Sequence, residues 1–144
     1  FNVYGPRMDV YGVYTEVMIR WLDQIDAGQP PVIFGDGSQT MDFVYVEDVA
    51  KANVLAARSG VTDEVFNVAS GREVSLLELL GLLLKITGSD LKPVFREERK
   101  VNPVRRRLAS TEKLEKILGF KAGTGLEEGL KKLALWRAGL KKHE

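Results

Sequence analysis

Basic side chains are concentrated in residues 96–107 of this 144-residue chain. The cluster consists of Arg96, Arg99, Lys100, Arg105, Arg106 and Arg107. The planar guanidinium group of arginine suits the oxygen atoms of a phosphate. In an extended stretch Arg105 and Arg107 face one side and Arg106 faces the other, so only part of the cluster can contact one ligand. Three interpretations follow: a solvated or inter-subunit charged surface, a clamp for a diphosphate, or a nucleic-acid site.

The overall composition narrows the possible functions. The chain carries 21 basic and 20 acidic residues, a net charge of +1, which argues against a general role on nucleic acids or membrane surfaces. It has no cysteine, and its single histidine, His143, lies next to the terminus. Disulfides, thiolate metal sites and a Ser/His/Asp triad of internal residues are therefore excluded, and we expect no bound metal.

A second stretch that could hold a ligand covers residues 34–49. It is predicted as a short apolar strand, a polar loop, a second strand and the start of a helix. Gly35 and Gly37 permit positive φ angles in the loop, and Asp36 can bond the local backbone. Glu47 and Asp48 fall in the first helical turn, where exposed N–H groups favour negative charge. Such a loop is a rigid place for an anionic or polar ligand.

Strands and helices alternate along the chain, which indicates an α/β fold. Apolar runs predict strands over residues 1–4, 31–34, 42–45, 64–69 and 92–95. Periodic apolar residues and glycine stops predict helices over residues 13–27 and 46–58, from Ser75 to Gly88, from Ser110 or Thr111 to Gly119, and from Leu126 onward. No apolar run reaches the length of a membrane span.

Local signals add detail to three of these helices. Ser75 with Glu78, and Thr124 with Glu127, have the spacing of capping boxes. The helix over residues 46–58 is predicted to bury Val49, Ala50, Asn53 or Val54, and Ala57. The leucine-rich helix after Ser75 is predicted to be largely enclosed.

Three segments, residues 1–7, 35–49 and 66–71, together resemble a known family. Phe1-Asn2-Val3-Tyr4-Gly5-Pro6-Arg7, the run from Gly35 to Val49, and Phe66-Asn67-Val68-Ala69-Ser70-Gly71 are similar to the C-terminal half of the extended short-chain dehydrogenase/reductases. These are the NAD-dependent nucleotide-sugar epimerases and dehydratases, with UDP-glucose 4-epimerase as the best-known member. Residues 118–120 and 126–130 match the end of that family. The resemblance covers essentially the whole chain but does not identify one sugar.

The resemblance implies the domain organisation. Residues 1–144 would form one substrate-binding C-terminal portion, which begins after the catalytic Tyr-x-x-x-Lys helix. The Rossmann portion that binds most of the NAD would lie upstream, together with the catalytic residues, so the fragment alone is expected to be inactive. Residues 1–4 and 65–68 would contribute strands to the Rossmann parallel sheet.

The resemblance also implies a function. The full-length protein would be a cytoplasmic homodimer that epimerises a UDP-linked nucleotide sugar at C4 by transient hydride transfer through NAD. It would bind neither nucleic acid nor membranes. The alternatives are a 4,6-dehydratase or reductase of the same family, or a non-catalytic homologue that binds nucleotide sugars.

Site residues follow from the family's motif positions. Asn2 matches a residue that contacts the sugar nucleotide, and Phe1 matches the neighbour whose backbone lies against the nicotinamide. Thr15 lies near a helix start that the family directs at the diphosphate. Val32 and Phe34 match the strand whose backbone and aromatic ring hold the base.

Two positions depart from the family pattern. Met41 stands where most members have an arginine that contacts the diphosphate or ribose, and a thioether can supply neither charge nor a hydrogen-bond donor. Pro103 stands where an aspartate that holds the ribose is common. We expect the arginine cluster to compensate, with Arg99 as first choice and Arg107 as second.

Overall fold

The computed structural model describes residues 2–11, 16–98 and 104–140. The helices in these ranges are α1 (Val17–Asp26), α2 (Val46–Arg58), α3 (Leu76–Thr87), α4 (Glu112–Leu118) and α5 (Leu126–Leu140). The strands are β1 (Asn2–Tyr4), β2 (Val32–Phe34), β3 (Thr40–Met41), β4 (Phe43–Tyr45), β5 (Val74–Ser75) and β6 (Val94–Arg96). This mixed architecture confirms the predicted α/β class. No helix in the described ranges has the length and apolar character needed to cross a membrane.

The strands form three small pairs. β1 pairs with β4 in parallel, with Asn2 opposite Phe43, and β2 pairs with β6 in parallel, with Val32 opposite Val94. β3 pairs with β5 in an antiparallel register, with Thr40 opposite Ser75. Since β3 and β4 are separated only by Asp42, the chain passes from one sheet directly into another at that residue.

The core lies where α3 packs between α1 and α5. Helix α1 contributes the apolar stripe that its sequence spacing predicts, whereas α3 is less enclosed than predicted, since Leu77 is 44% exposed. The fully buried side chains of the three helices are Met18, Ile19, Trp21 and Leu22 on α1, Leu79, Leu80 and Leu83 on α3, and Leu130 and Leu133 on α5. Helix ends follow local signals: the Ser75 side chain accepts a hydrogen bond from the Glu78 amide, and Gly88 and Gly119 end their helices in the left-handed conformation.

The first strand is joined to the last helix by Tyr4. Its ring is buried and meets the rings of Phe43 and Tyr45 edge to face. Its hydroxyl group donates to the carbonyl oxygen of Leu126 at 3.3 Å. Burial, with nearby acidic groups, raises the pKa of this hydroxyl well above its usual range. α5 therefore lies directly against the β1–β4 sheet.

Several predictions from the sequence are wrong. Residues 64–69 form no strand, and Val65 is 81% exposed, because no described strand lies beside them to pair with. Helix α2 has the predicted bounds but buries Asp48 and Ala52 rather than the predicted apolar set. The helix contacts β1 and β4, and Val54 is 49% exposed.

Two smaller predictions concern the starts of α1 and α5. Helix α1 begins at Val17, after Glu16 as N-cap, and the predicted start at residue 13 lies outside the described residues. The second capping box does not form, because the Thr124 amide and hydroxyl bond to Asp48 on α2 and the Glu127 carboxylate pairs with Lys85 and Lys131. Long-range partners therefore replaced the local bonds expected at the start of α5.

Candidate functional site

Residues 39–42, the central segment, connect the parts of the chain in which site residues were predicted. Gln39 bonds to the end of β2, Thr40 to the arginine stretch 105–107, and Asp42 to Asn2 on β1. The segment includes β3 and leads into β4, so its backbone is held by sheet pairing on both sides. The central segment therefore contacts residues that lie up to 67 positions away in sequence.

The arginine stretch lies along β3 as an added parallel partner. The Thr40 amide donates to the Arg105 carbonyl oxygen at 2.9 Å, and the Arg107 amide donates to the Thr40 carbonyl oxygen at 3.0 Å. Thr40 and Arg106 form the bridge pair. This register places Arg105 beside Gln39 and Arg107 beside Met41.

Thr40 and Arg106 project to one face, where both bond to Glu73. The Arg106 guanidinium group donates to the two Glu73 carboxylate oxygens at 2.6 and 2.9 Å, and the Thr40 hydroxyl group donates at 2.9 Å. Arg106, followed by Thr40, holds the pKa of the Glu73 carboxyl group below its usual range. Arg106 is therefore used to fix the strand and is not available as a ligand contact.

The alternation of side chains puts Gln39, Met41, Arg105 and Arg107 on the opposite face. Arg105 lies 3.5 Å from the Glu98 carboxylate. Arg107 is half-buried, and no carboxylate in residues 2–11, 16–98 or 104–140 pairs with it. Met41 is also half-buried and packs against the apolar core. Of the basic cluster, Arg107 thus lies next to Met41 and has no acidic partner among the described residues.

At the end of β2, the backbone groups of Val32 and Phe34 lie on the edge of the strand that faces away from β6. The backbone groups of the odd-numbered residues face β6. There the Gly35 amide donates to the Arg96 carbonyl oxygen and the Val94 amide donates to the Pro31 carbonyl oxygen, both at 2.9 Å. On the other edge, the Val32 amide donates to the Gln24 side chain, and the Val32 carbonyl oxygen accepts from Trp21. The Phe34 carbonyl oxygen accepts from the Gln39 side chain at 3.2 Å.

Asn2 lies at the start of β1 beside the central segment. Its backbone amide and its side-chain amide both donate to the Asp42 carbonyl oxygen at 3.3 Å. The Asp42 side chain points elsewhere and is completely buried. Its carboxylate accepts from the Ser70 amide and hydroxyl and from the Gly71 amide, which ties the loop after residue 69 to the site.

The polar loop after β2 is held by its own side chains. Gly35 and Gly37 have φ angles of +81° and +76°, as the sequence predicts. The Asp36 carboxylate accepts from the Ser38 hydroxyl and amide at 2.7 and 2.9 Å, and these bonds hold the pKa of that carboxyl group below its usual range. The loop thus presents a carboxylate to solvent, which makes it a poor site for an anion.

The turns from β4 into α2 and from β5 into α3 do not fit the pyrophosphate of a dinucleotide. The turn from β4 into α2 carries Glu47 and Asp48, whose charges repel phosphate. The turn from β5 into α3 has its N-terminal amide at Glu78 bonded to Ser75. These two turns therefore do not offer the open helix N-terminus that binds dinucleotides.

The structure locates some of the predicted site residues and not others. Asn2 and Phe34 each bond to the central segment, Met41 is part of it, and Arg107 lies beside it. Val32 lies on β2, two residues before Phe34. The predictions for Phe1, Thr15 and Arg99 fall outside the described residues.

Sequence reasoning missed Gln39 and Glu73, whose bonds hold this arrangement together. Both are ordinary polar residues without a motif of their own. The alternation of Gln39 and Met41 around Thr40 was the available signal, since it places Gln39 on the same face as Met41.

Comparison with known proteins places this geometry in context. Residues 1–69 match the model of the NAD dependent epimerase/dehydratase family. A putative UDP-glucose 4-epimerase of Methanocaldococcus jannaschii is 38% identical over 135 residues, which cover 94% of this chain and 43% of that protein. A UDP-N-acetyl-alpha-D-glucosaminuronate decarboxylase of Bacillus cytotoxicus is 32% identical over 141 residues, covering 94% of this chain and 44% of that protein.

Solved structures give the same result at the level of the fold. UDP-glucose 4-epimerase from Thermotoga maritima, whose crystal structure was solved with UDP-glucose, is 40% identical in sequence. Its structure matches that of this chain with a TM-score of 0.89. The match covers 99% of this chain and 45% of that one. The chain thus spans less than half the length of the relatives that it matches, and it corresponds to their C-terminal part.

Proposed function

Because this chain belongs to the NAD dependent epimerase/dehydratase family, we propose that it is the substrate-binding half of a nucleotide-sugar epimerase. The proposed substrate is a UDP-sugar, and the proposed reaction is inversion at the sugar C4 by transient hydride transfer. NAD supplies the hydride acceptor in this chemistry, and the protein supplies binding and orientation. The NAD site and the Tyr-x-x-x-Lys motif are proposed to lie on residues upstream of this chain, because the chain matches the C-terminal part of its relatives and its β4–α2 and β5–α3 turns do not fit a dinucleotide.

One observation carries the proposal: the central segment joins Phe34, Arg107 and Asn2 in a fold that matches an epimerase solved with UDP-glucose. In the proposed site the Phe34 ring stacks on the base. The Val32 carbonyl oxygen, which has a second lone pair, accepts a hydrogen bond from the base. Arg107 contacts the diphosphate, and Asn2 contacts the sugar nucleotide. Anchoring the nucleotide in this way leaves the sugar able to turn.

Arg107 is proposed to replace the charge that Met41 does not provide. The register places the two residues side by side on one face, and no described carboxylate competes for the guanidinium group. Arg99, the first choice from the sequence, lies outside the described residues and stays a prediction. A charge-assisted hydrogen bond contributes about 1.5–3 kcal/mol, which corresponds to roughly a tenfold or larger change in affinity.

Calorimetric titration with UDP tests this role. Arg107→Ala in the 144-residue chain is expected to weaken UDP binding about tenfold or more. Arg106→Ala is the matched control, since its guanidinium group is bonded to Glu73, and it is expected to weaken binding less. Equal affinity of the Arg107→Ala variant and the unaltered chain would contradict the assignment.

The reaction itself is tested by product analysis. A longer polypeptide carrying the proposed upstream half should convert UDP-glucose into UDP-galactose, detected by NMR, and the 144-residue chain alone should not. The decarboxylase among the relatives supports a second candidate, another reaction on a UDP-sugar, with a dehydratase or reductase included in that class. Release of carbon dioxide or formation of a 4-keto-6-deoxy sugar would favour this second candidate.

A cytoplasmic homodimer is proposed for the longer polypeptide.

A further inference from the structure

Gln39 holds the peptide group that follows Phe34. That peptide group consists of the Phe34 carbonyl and the Gly35 amide. The Gln39 side-chain amide donates to the carbonyl oxygen at 3.2 Å, from the edge of β2 that faces away from β6. On the other edge, the Gly35 amide donates to the Arg96 carbonyl oxygen at 2.9 Å. The orientation of this peptide plane is therefore fixed by two bonds from opposite sides.

Gly35 makes this fixation necessary. With a φ angle of +81°, it starts the polar loop in the left-handed region. Glycine populates positive and negative φ about equally, so the residue itself does not hold the preceding peptide in one orientation. Loss of the Gln39 bond would remove one of the two bonds that hold the plane, and a rotation of the plane would reorient the end of β2 at Phe34.

Gln39 is itself held firmly in place. Its carbonyl oxygen accepts from the Leu76 amide at the start of α3, and the next residue, Thr40, is paired with both β5 and the arginine stretch. The side chain therefore starts from a fixed backbone and bridges five residues back to Phe34. Gln39 couples the position of the arginine stretch to that of the β2 end.

We propose that Gln39 is a positioning residue for the base of the bound nucleotide, through the peptide group between Phe34 and Gly35. This inference rests on the proposed function, because it assumes that the Phe34 edge holds the base. It assigns Gln39 no direct contact with the ligand. Recognition of the base should therefore depend on the Gln39 side-chain amide, and recognition of the phosphates should not.

Binding of UDP and of inorganic pyrophosphate to the 144-residue chain, followed by NMR titration, tests the proposal. Gln39→Met removes the donor at similar side-chain length, and Gln39→Glu keeps the shape but offers a carboxylate in place of the amide. Both variants are expected to weaken UDP binding three- to tenfold and to leave pyrophosphate binding unchanged. Gln29→Met, at an exposed glutamine after α1, is the matched control and should alter neither affinity.

The outcomes separate this inference from the function beneath it. If the unaltered chain binds UDP no better than pyrophosphate, the base site itself is absent and the proposed function fails with it. If the unaltered chain prefers UDP and the Gln39 variants retain that preference, the role of Gln39 is overturned while the function stands. An equal loss of both affinities in the two variants would also overturn it, since that pattern reports general disruption of the fold.

Discussion

Asp42 holds three backbone segments together through one side chain. It is completely buried, and its carboxylate accepts from the Ser70 amide at 2.8 Å, the Ser70 hydroxyl at 2.6 Å and the Gly71 amide at 3.0 Å. The Ala109 amide approaches the second oxygen at 3.5 Å. A buried carboxylate needs such donors to offset its desolvation. At the scale of single residues, Asp42 therefore stabilises the loops around the central segment.

Replacing this carboxylate tests its contribution to stability. Asp42→Asn leaves one acceptor oxygen and turns an NH₂ group toward donors that it cannot satisfy. We expect the free energy of unfolding to fall by about 1–3 kcal/mol, measured by urea denaturation. Asp36→Asn is the control with the same change in charge, at an exposed site where the carboxylate bonds to Ser38. Equal midpoints for the two variants would show that the Asp42 bonds add nothing.

Among the secondary-structure elements, the contact of α5 with the β1–β4 sheet depends on a glycine. A Cβ atom at Gly129 would lie 2.7 Å from Cζ of Tyr4 and closer still to its hydroxyl oxygen. Tyr4 cannot move away easily, because its buried ring packs against Phe43 and Tyr45. Gly129 thus sets how closely the helix approaches the sheet that carries Asn2.

Two glycine substitutions in one helix measure this approach. Gly129→Ala is expected to lower the free energy of unfolding by about 1–3 kcal/mol, the usual cost of overpacking. Gly139→Ala, in the same helix, meets nothing within 4 Å and should be neutral or stabilise by up to about 1 kcal/mol through helix propensity. The thermal midpoint should therefore fall for Gly129→Ala and should stay the same or rise for Gly139→Ala. A stabilised Gly129→Ala variant would contradict the close contact.

At the scale of the whole molecule, Asp48 links α2 to the start of α5. Its carboxylate is buried and accepts from the Thr124 amide at 2.8 Å and from Lys51 at 3.3 Å. Burial alone raises the pKa of this carboxyl group, but the bonds from Thr124 and Lys51 outweigh it and hold the pKa below its usual range. Folding therefore favours the ionised form.

The lowered pKa predicts a pH dependence of stability. Because the folded-state pKa is below the unfolded value, the contribution of Asp48 is present at neutral pH and is lost as the pH falls below about 4. Asp48→Asn should be less stable than the unaltered chain at pH 7, and this difference should shrink at pH 3, measured by urea midpoints. Glu47→Gln, at the exposed neighbour, is the control and should change stability less at pH 7. If Asp48→Asn lowers the urea midpoint equally at both pH values, that result would contradict a coupling between the Asp48 pKa and stability.

Features that depend on neighbours along the chain could be predicted from the sequence. The bounds of α2, the Ser75 cap and the glycine turns at Gly35 and Gly88 follow from hydrogen bonds and φ preferences within a few residues. The resemblance to the epimerase family also rests on the order of short motifs.

Only the tertiary structure decided which polar groups are partners and which strands exist. Glu73 is 33 residues from Arg106 in sequence, so spacing could not show that this arginine is bonded and that Arg107 has no described acidic partner. Residues 64–69 have the composition of a strand but lack a described strand to pair with. Pairing and burial depend on contacts between distant segments, and no local pattern records them.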